Sequence, residues 1–262
     1  RLRNASAAVH DYAGGFIEFP HKYNPEIIYK FLDYAVYGWV DMRKAIAVSA
    51  NVYFYTIGGG FGSQEGLGPT RIKKYLKLFG WGEKTGIDLP GEVPGLIPSP
   101  EWKEEKKKEG WWDGDTYNMS IGQGNILATP LQVASAFVAI ANGGKLFQPE
   151  IVQKIIDDEE IQPKIIRENF IKPENLQVAR EGMRQAVTAG SAVILNDLPV
   201  KVAAKTGTAQ TSQENVYHNW VTVFAPYDDP QIVLTILIED VKGLQAAALP
   251  VAKEVLNWYF TR

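Results

Sequence analysis

The sequence predicts an α+β fold: an antiparallel sheet flanked by helices, with a helical part ahead of it. Three observations lead there. Strand-like runs cluster in the last quarter of the chain and are joined by short connections, which makes antiparallel neighbours the natural arrangement. Helical patterns lie before and after that cluster rather than alternating with it. With 262 residues, 45% of them hydrophobic, the chain is long enough to bury a full core.

Residues 1 to 40 are rich in aromatics, among them Phe16, Phe19, Tyr29, Phe31, Tyr34 and Tyr37, and are broken by Gly14, Gly15, Pro20 and Pro25. That pattern predicts an irregular segment packed over a core, with at most short strands. Asp41 is placed to cap a helix running through Ala47, and Ser49-Ala50-Asn51 interrupts it. A second helical run carries Val52, Phe54, Tyr55 and Ile57 into Gly58-Gly59-Gly60. That glycine cluster follows no strand and opens no phosphate-cradling turn, which excludes a nucleotide-binding reading.

Ile72, Tyr75, Leu76 and Phe79 recur at helical spacing between Pro69 and Gly80 and predict an amphipathic helix. Prolines and glycines from Gly86 to Pro100 predict an extended loop, and the mixed charges from Lys103 to Glu109 a solvated helix face. Thr129-Pro130-Leu131-Gln132 has the form of a capped helix start, and the apolar run to Ala141 predicts a buried central helix. Two apolar stretches around Asp157-Asp158-Glu159-Glu160 predict a protruding hairpin. A helix follows from about Glu174 to Ala189, with Leu176, Ala179, Met183, Ala186 and Val187 on its inner side. The strands are Val200 to Gln210, Trp220 to Phe224 and Ile232 to Ile238, and an amphipathic helix from Gln245 to Tyr259 covers one face of their sheet. The helical part thus spans roughly residues 41 to 144, and the sheet with its last helix roughly 198 to 262.

A net charge of -3 argues against nucleic acid as a partner, and no apolar run reaches the length of a membrane span. Without cysteine there is neither a disulfide nor thiol chemistry, and His10, His21 and His218 fit no metal-ligand spacing. No cofactor is called for.

The chemistry concentrates on Lys205-Thr206-Gly207-Thr208. Gly207 and Ala209 are small enough for another extended backbone to approach and pair like an added strand. Thr206 and Thr208 offer hydroxyl donors, and Lys205 a cation for a carboxylate. Taken alone, the tetrapeptide reads equally as an edge strand with a solvated lysine. A second group, Ser49-Ala50-Asn51 at a helix break, joins a proton-relaying hydroxyl to a carboxamide able to bind both ends of an amide. Taken alone, these are ordinary capping residues.

In this order the two groups resemble the SxN and KTG motifs of penicillin-binding proteins and serine β-lactamases. The likeness extends through Val40-Asp41-Met42-Arg43-Lys44-Ala45, Thr85-Gly86-Ile87-Asp88-Leu89-Pro90-Gly91-Glu92, Gly95-Leu96-Ile97-Pro98-Ser99-Pro100, Tyr117-Asn118-Met119-Ser120-Ile121-Gly122-Gln123-Gly124 and Ala141-Asn142-Gly143-Gly144. Over roughly residues 38 to 262 the chain resembles the transpeptidase domain of class B penicillin-binding proteins, elongation type. The resemblance implies a β-lactamase/transpeptidase-like fold and a serine-type DD-transpeptidase that cross-links peptidoglycan on the outer side of the bacterial cytoplasmic membrane. Its partners would be the D-Ala-D-Ala stem peptide, β-lactam antibiotics and a cell-elongation glycosyltransferase. Lys205, Thr206, Gly207 and Thr208 would form the wall that holds the terminal carboxylate, and the Thr208 N–H half of an oxyanion hole. Ser49 would pass a proton to the leaving amine, and Asn51 would orient the substrate amide.

The sequence departs from that family at one place. No serine has a lysine three residues on, so the nucleophile motif SxxK is absent from this chain. Either the chain begins after the nucleophile helix or it is a natural pseudoenzyme that binds without attack; the intact remaining motifs favour the first. The chain by itself is therefore expected to be inactive, with only three strands of the family's five-stranded sheet and no neighbour for Ile232 to Ile238. A β-lactamase or carboxypeptidase of the same fold would need a base for a deacylating water, and no carboxylate offers itself.

Overall fold

A sheet of three antiparallel strands, with a helix against each face, carries the C-terminal half of the molecule. The computed structural model describes residues 9–10, 14–21, 24–153, 162–243 and 245–262. Strand β1, Val9–His10, pairs with β4, Trp39–Val40, and β2, Phe16–His21, forms a hairpin with β3, Asn24–Leu32. This hairpin is longer than the short strands expected of residues 1 to 40. Ile17, Phe19 and Phe31 pack against Tyr55 and Tyr117, with the Phe31 and Tyr117 ring centroids 4.9 Å apart. That anchorage outweighs the two prolines, which a two-stranded ribbon tolerates because each strand has a free edge.

Helix α1, Met42–Val48, starts where Asp41 accepts the Lys44 N–H at 2.9 Å, and α2, Asn51–Gly59, follows after the break at Ser49. Then come α3, Gly68–Leu78, α4, Pro100–Lys107, and α5, Asp113–Ser120. Lys103 on α4 is buried rather than solvated. Its long stem points inward, and its ammonium meets the Asp115 carboxylate at 2.8 Å, so the charge is paired where water is excluded.

Helix α6, Pro130–Ala141, opens with the expected reciprocal cap between Thr129 and Gln132. Gln132 is also buried and donates to the carbonyls of Glu83 and Pro94, so the residue that starts α6 pins the loop beside it. The helix is less enclosed than its apolar sequence suggested: Gln132, Ala136, Ala139 and Ala141 are buried, Pro130 is exposed and the others are half-buried. Strands β5, Leu146–Phe147, and β6, Ile165–Arg167, pair as the base of a hairpin whose acidic turn, Asp157 to Glu160, lies outside the described residues. Helix α7, Pro173–Ala189, buries Leu176, Val178, Gly182, Met183, Ala186 and Val187, with Ala179 only half-buried. A 3₁₀ turn, Val193–Asp197, leads to β7, Ala203–Gln210, β8, Val216–Ala225, and β9, Ile232–Lys242; α8, Ala248–Thr261, ends the chain.

The sheet order is β7-β8-β9, so among the described residues each outer strand has one unpaired edge. Val221, Val223 and Ala225 of β8 pack with Ala248, Leu249, Ala252 and Leu256 of α8. Alternation along the strand turns Phe224 to the opposite face, where it joins Ala203, Ala141 and Met183. The register sets Lys205 opposite Thr222, Gly207 opposite Trp220 and Thr208 opposite Asn219.

Candidate active site

Two helix ends and one sheet edge build the site. Helix α1 packs on α7 through residues too small to keep the backbones apart. A Cβ on Gly182 would lie 2.9 Å from the Ile46 Cβ, and one on Gly190 2.3 Å from the Ala47 carbonyl oxygen. That oxygen accepts the Ser191 N–H at 3.1 Å, which ties the last turn of α1 to the end of α7. The turn finishes at Ser49, which has left-handed backbone geometry, φ 60° and ψ 44°, uncommon for a residue with a side chain.

Across the gap, Lys205 of β7 donates to the Ser49 Oγ at 2.8 Å and to the Thr206 carbonyl at 2.7 Å. Burial of the ammonium lowers its pKa to about 8, although the residue as a whole is only half-buried. Among the described residues no carboxylate stands within ion-pairing distance of it. A buried cation held by neutral oxygens alone is a site for an anion. Ser191 and Thr206 face each other with their hydroxyl oxygens 2.7 Å apart.

Ser49, Ser191, Thr206, Gly207 and Thr208 line a cavity of about 290 Å³, with Tyr34 and Tyr37 on another side. Gly207 keeps this wall low: a Cβ there would approach the Trp220 Cβ to 3.3 Å. The Thr208 carbonyl accepts from the Gln123 side chain at 3.1 Å across the unpaired edge of β7. In an extended strand the N–H and C=O of one residue point the same way, so the Thr208 N–H also faces that edge.

The structure thus brings together Ser49, Lys205, Thr206, Gly207 and Thr208. Asn51 is placed differently from the expectation that it faces this groove. It does not line the cavity, and its Nδ2 donates to the Leu32 carbonyl at 3.3 Å. The cause is the β2–β3 hairpin, whose end docks on the start of α2. Ala50 at the cap position has only a methyl group and no acceptor to offer, and Asp33 supplies the missing acceptor to the Val52 N–H at 2.9 Å. Asp33→Ala should therefore destabilise the chain by about 1–2 kcal/mol, with Asp33→Asn losing less, as read from urea midpoints.

Sequence reasoning missed Ser191, Asp33 and the two tyrosines, and quoted Gln123 without a role. Ser191 carried a faint signal, a hydroxyl directly after a helix-ending glycine. Asp33 and the tyrosines carried none, since only the hairpin's docking brings them here.

A family model described as the penicillin binding protein transpeptidase domain matches residues 21–259. The chain belongs to that family. Its relatives include the peptidoglycan D,D-transpeptidase MrdA of Haemophilus influenzae, 33% identical over 250 residues, covering 86% of this chain and 37% of that protein. MrdA of Acinetobacter baumannii is 32% identical, covering 89% of this chain and 37% of that one. Among solved structures, penicillin-binding protein PBP2 of Helicobacter pylori superposes with a TM-score of 0.81 at 32% identity, over 98% of this chain and 45% of that one. PBP2 of Pseudomonas aeruginosa, solved in complex with WCK 5153, gives 0.82 at 28% identity, over 98% and 56%. This transpeptidase-family chain therefore spans little more than a third of the length of its MrdA relatives.

Proposed function

We propose that this chain is the part of a peptidoglycan D,D-transpeptidase that docks the D-Ala-D-Ala end of a stem peptide and supplies the proton path for its acylation. The observation that carries the reading is the part-buried Lys205–Ser49 contact of 2.8 Å beside a wall of Thr206, Gly207 and Thr208. The Lys205 ammonium and the hydroxyls of Thr206 and Thr208 hold the peptide's terminal carboxylate. The Thr208 N–H supports the oxyanion that develops when the penultimate carbonyl is attacked. An SxxK serine, which this chain does not contain, is the attacking group; the C–N bond breaks, D-alanine leaves with a proton relayed through Ser49, and an amine of a second strand then takes the acyl group. Asn51 reaches substrate in this scheme only by exchanging its bond to Leu32.

On the same reading the chain serves cell-wall synthesis outside the cytoplasm and takes β-lactams as substrate mimics. A protein partner is part of the proposal, since the Helicobacter pylori relative has been solved in complex with MreC. A related structure is described as a peptidoglycan synthase complex that coordinates polymerization and crosslinking, which fits a glycosyltransferase partner. None of the described helices is long and apolar enough to cross a membrane.

The test is docking itself. In amide NMR spectra of this chain, an N-acylated D-Ala-D-Ala peptide should shift Thr206, Gly207 and Thr208, and the same peptide with an amidated C-terminus should not. Absence of any shift at β7 would overturn the reading. A recognition domain that never acylates would dock the peptide in the same way; an in-frame SxxK upstream of Arg1 in the encoding gene separates the two.

A further inference from the structure

The open edge of β7 is not open along its whole length. Gln123, in the turn after α5, donates from Nε2 to the Thr208 carbonyl at 3.1 Å and accepts the Gln210 N–H on Oε1 at 3.3 Å. One carboxamide thus satisfies an acceptor and a donor two residues apart, the two-point contact that the N–H and C=O of one residue in an added parallel strand would make. Upstream of it, the Thr206 carbonyl takes the Lys205 ammonium at 2.7 Å. The Thr208 N–H is left to face the groove between these two filled positions.

We propose that Gln123 is a positioning residue that ends the strand-adding edge of β7 at Thr208. A peptide laid there, with its carboxylate at Lys205, meets the strand backbone at the Thr208 N–H, through its penultimate carbonyl, and is lifted off the strand at Gln210. Recognition is thereby confined to the terminal dipeptide, and residues further up the stem peptide contribute side-chain contacts at most. The proposal rests on the docking reading above for its ligand, while the clamp itself is a statement about two hydrogen bonds.

The experiment compares this chain with Gln123→Ala and Gln123→Glu by two measurements. The first is amide hydrogen exchange at Gln210 without ligand. It should be slow in the parent, fast in Gln123→Ala and still slowed in Gln123→Glu, whose carboxylate accepts from Gln210 but cannot donate to Thr208. Equal exchange in the parent and Gln123→Ala overturns the clamp. The second is the affinity for an N-acylated D-Ala-D-Ala dipeptide against the same peptide extended by two residues at its N-side. The parent should bind both within about twofold, whereas Gln123→Ala, with two edge groups released, should prefer the longer peptide by about tenfold. A length preference as large in the parent as in the variant overturns the proposal, and so does its absence from both. If the parent binds neither peptide the docking reading fails, and the Gln210 exchange then decides the clamp alone.

Discussion

Replacing Lys205 with methionine should lower the affinity for a peptide carboxylate by about a hundredfold and leave the chain folded. The loss follows from removing the Lys205 ammonium beside Ser49 and Thr206, and the amidated peptide, which cannot use that charge, serves as the control. The same variant tests the burial of the ammonium. In the folded chain Lys205 titrates at about 8 and in the unfolded chain near its ordinary 10.5. Between those values the unfolded chain keeps a proton that the folded chain has released, so stability rises with pH across the window and is lost as pH falls through it. Relative to Lys205→Met, the parent should gain on the order of 2–3 kcal/mol between these two pH values. Tyr55 and Tyr117, both raised to about 12 chiefly by burial, titrate alike in the two chains and cancel in the difference. Urea midpoints of both chains at the two ends of the window measure it; parallel pH profiles would place the ammonium in water.

Gly190→Ala should be the most damaging single methyl in the molecule's working part. The new Cβ would lie 2.3 Å from the Ala47 carbonyl oxygen and 2.8 Å from the Ala186 Cα, both backbone atoms that no rotamer can move aside. Relief requires the end of α1 to separate from α7, which breaks the Ser191 to Ala47 hydrogen bond and draws Ser49 away from Lys205. A loss of about 3 kcal/mol or more is expected, with peptide binding impaired even where the variant remains folded. Gly110→Ala is the matched control, because nothing lies within 4 Å of a Cβ there, and it should stay within about 0.5 kcal/mol of the parent. Equal urea midpoints for the two variants would mean that α1 and α7 are not held by close backbone approach.

What was legible in the sequence was what short stretches decide for themselves. Asp41 and the Thr129–Gln132 pair act within one turn of their own helices, and both caps are found where the residue types place them. The three last strands were legible because β-branched runs are separated by short turns, and the stretch Lys205 to Thr208 because its residues are consecutive on one of them. What stayed hidden depends on partners distant in the chain. The β2–β3 hairpin looked irregular because Pro20 and Pro25 masked its alternation, and only Tyr55 and Tyr117 give its aromatic face something to meet. Lys103 looked solvated because its counter-charge, Asp115, belongs to the next helix. Asn51 looked aimed at the groove because nothing in Ser49-Ala50-Asn51 announces that the Leu32 carbonyl takes its amide.

The bond from Lys205 to Ser49 joins residues 156 positions apart in the chain. Closing so long a loop is entropically demanding and belongs to the slow, late events of folding. During synthesis the helix break at Ser49 leaves the ribosome well before β7 exists to meet it. A preparation with full helical signal that lacks the Lys205–Ser49 contact would therefore be a folding intermediate, arrested before β7 meets the end of α1.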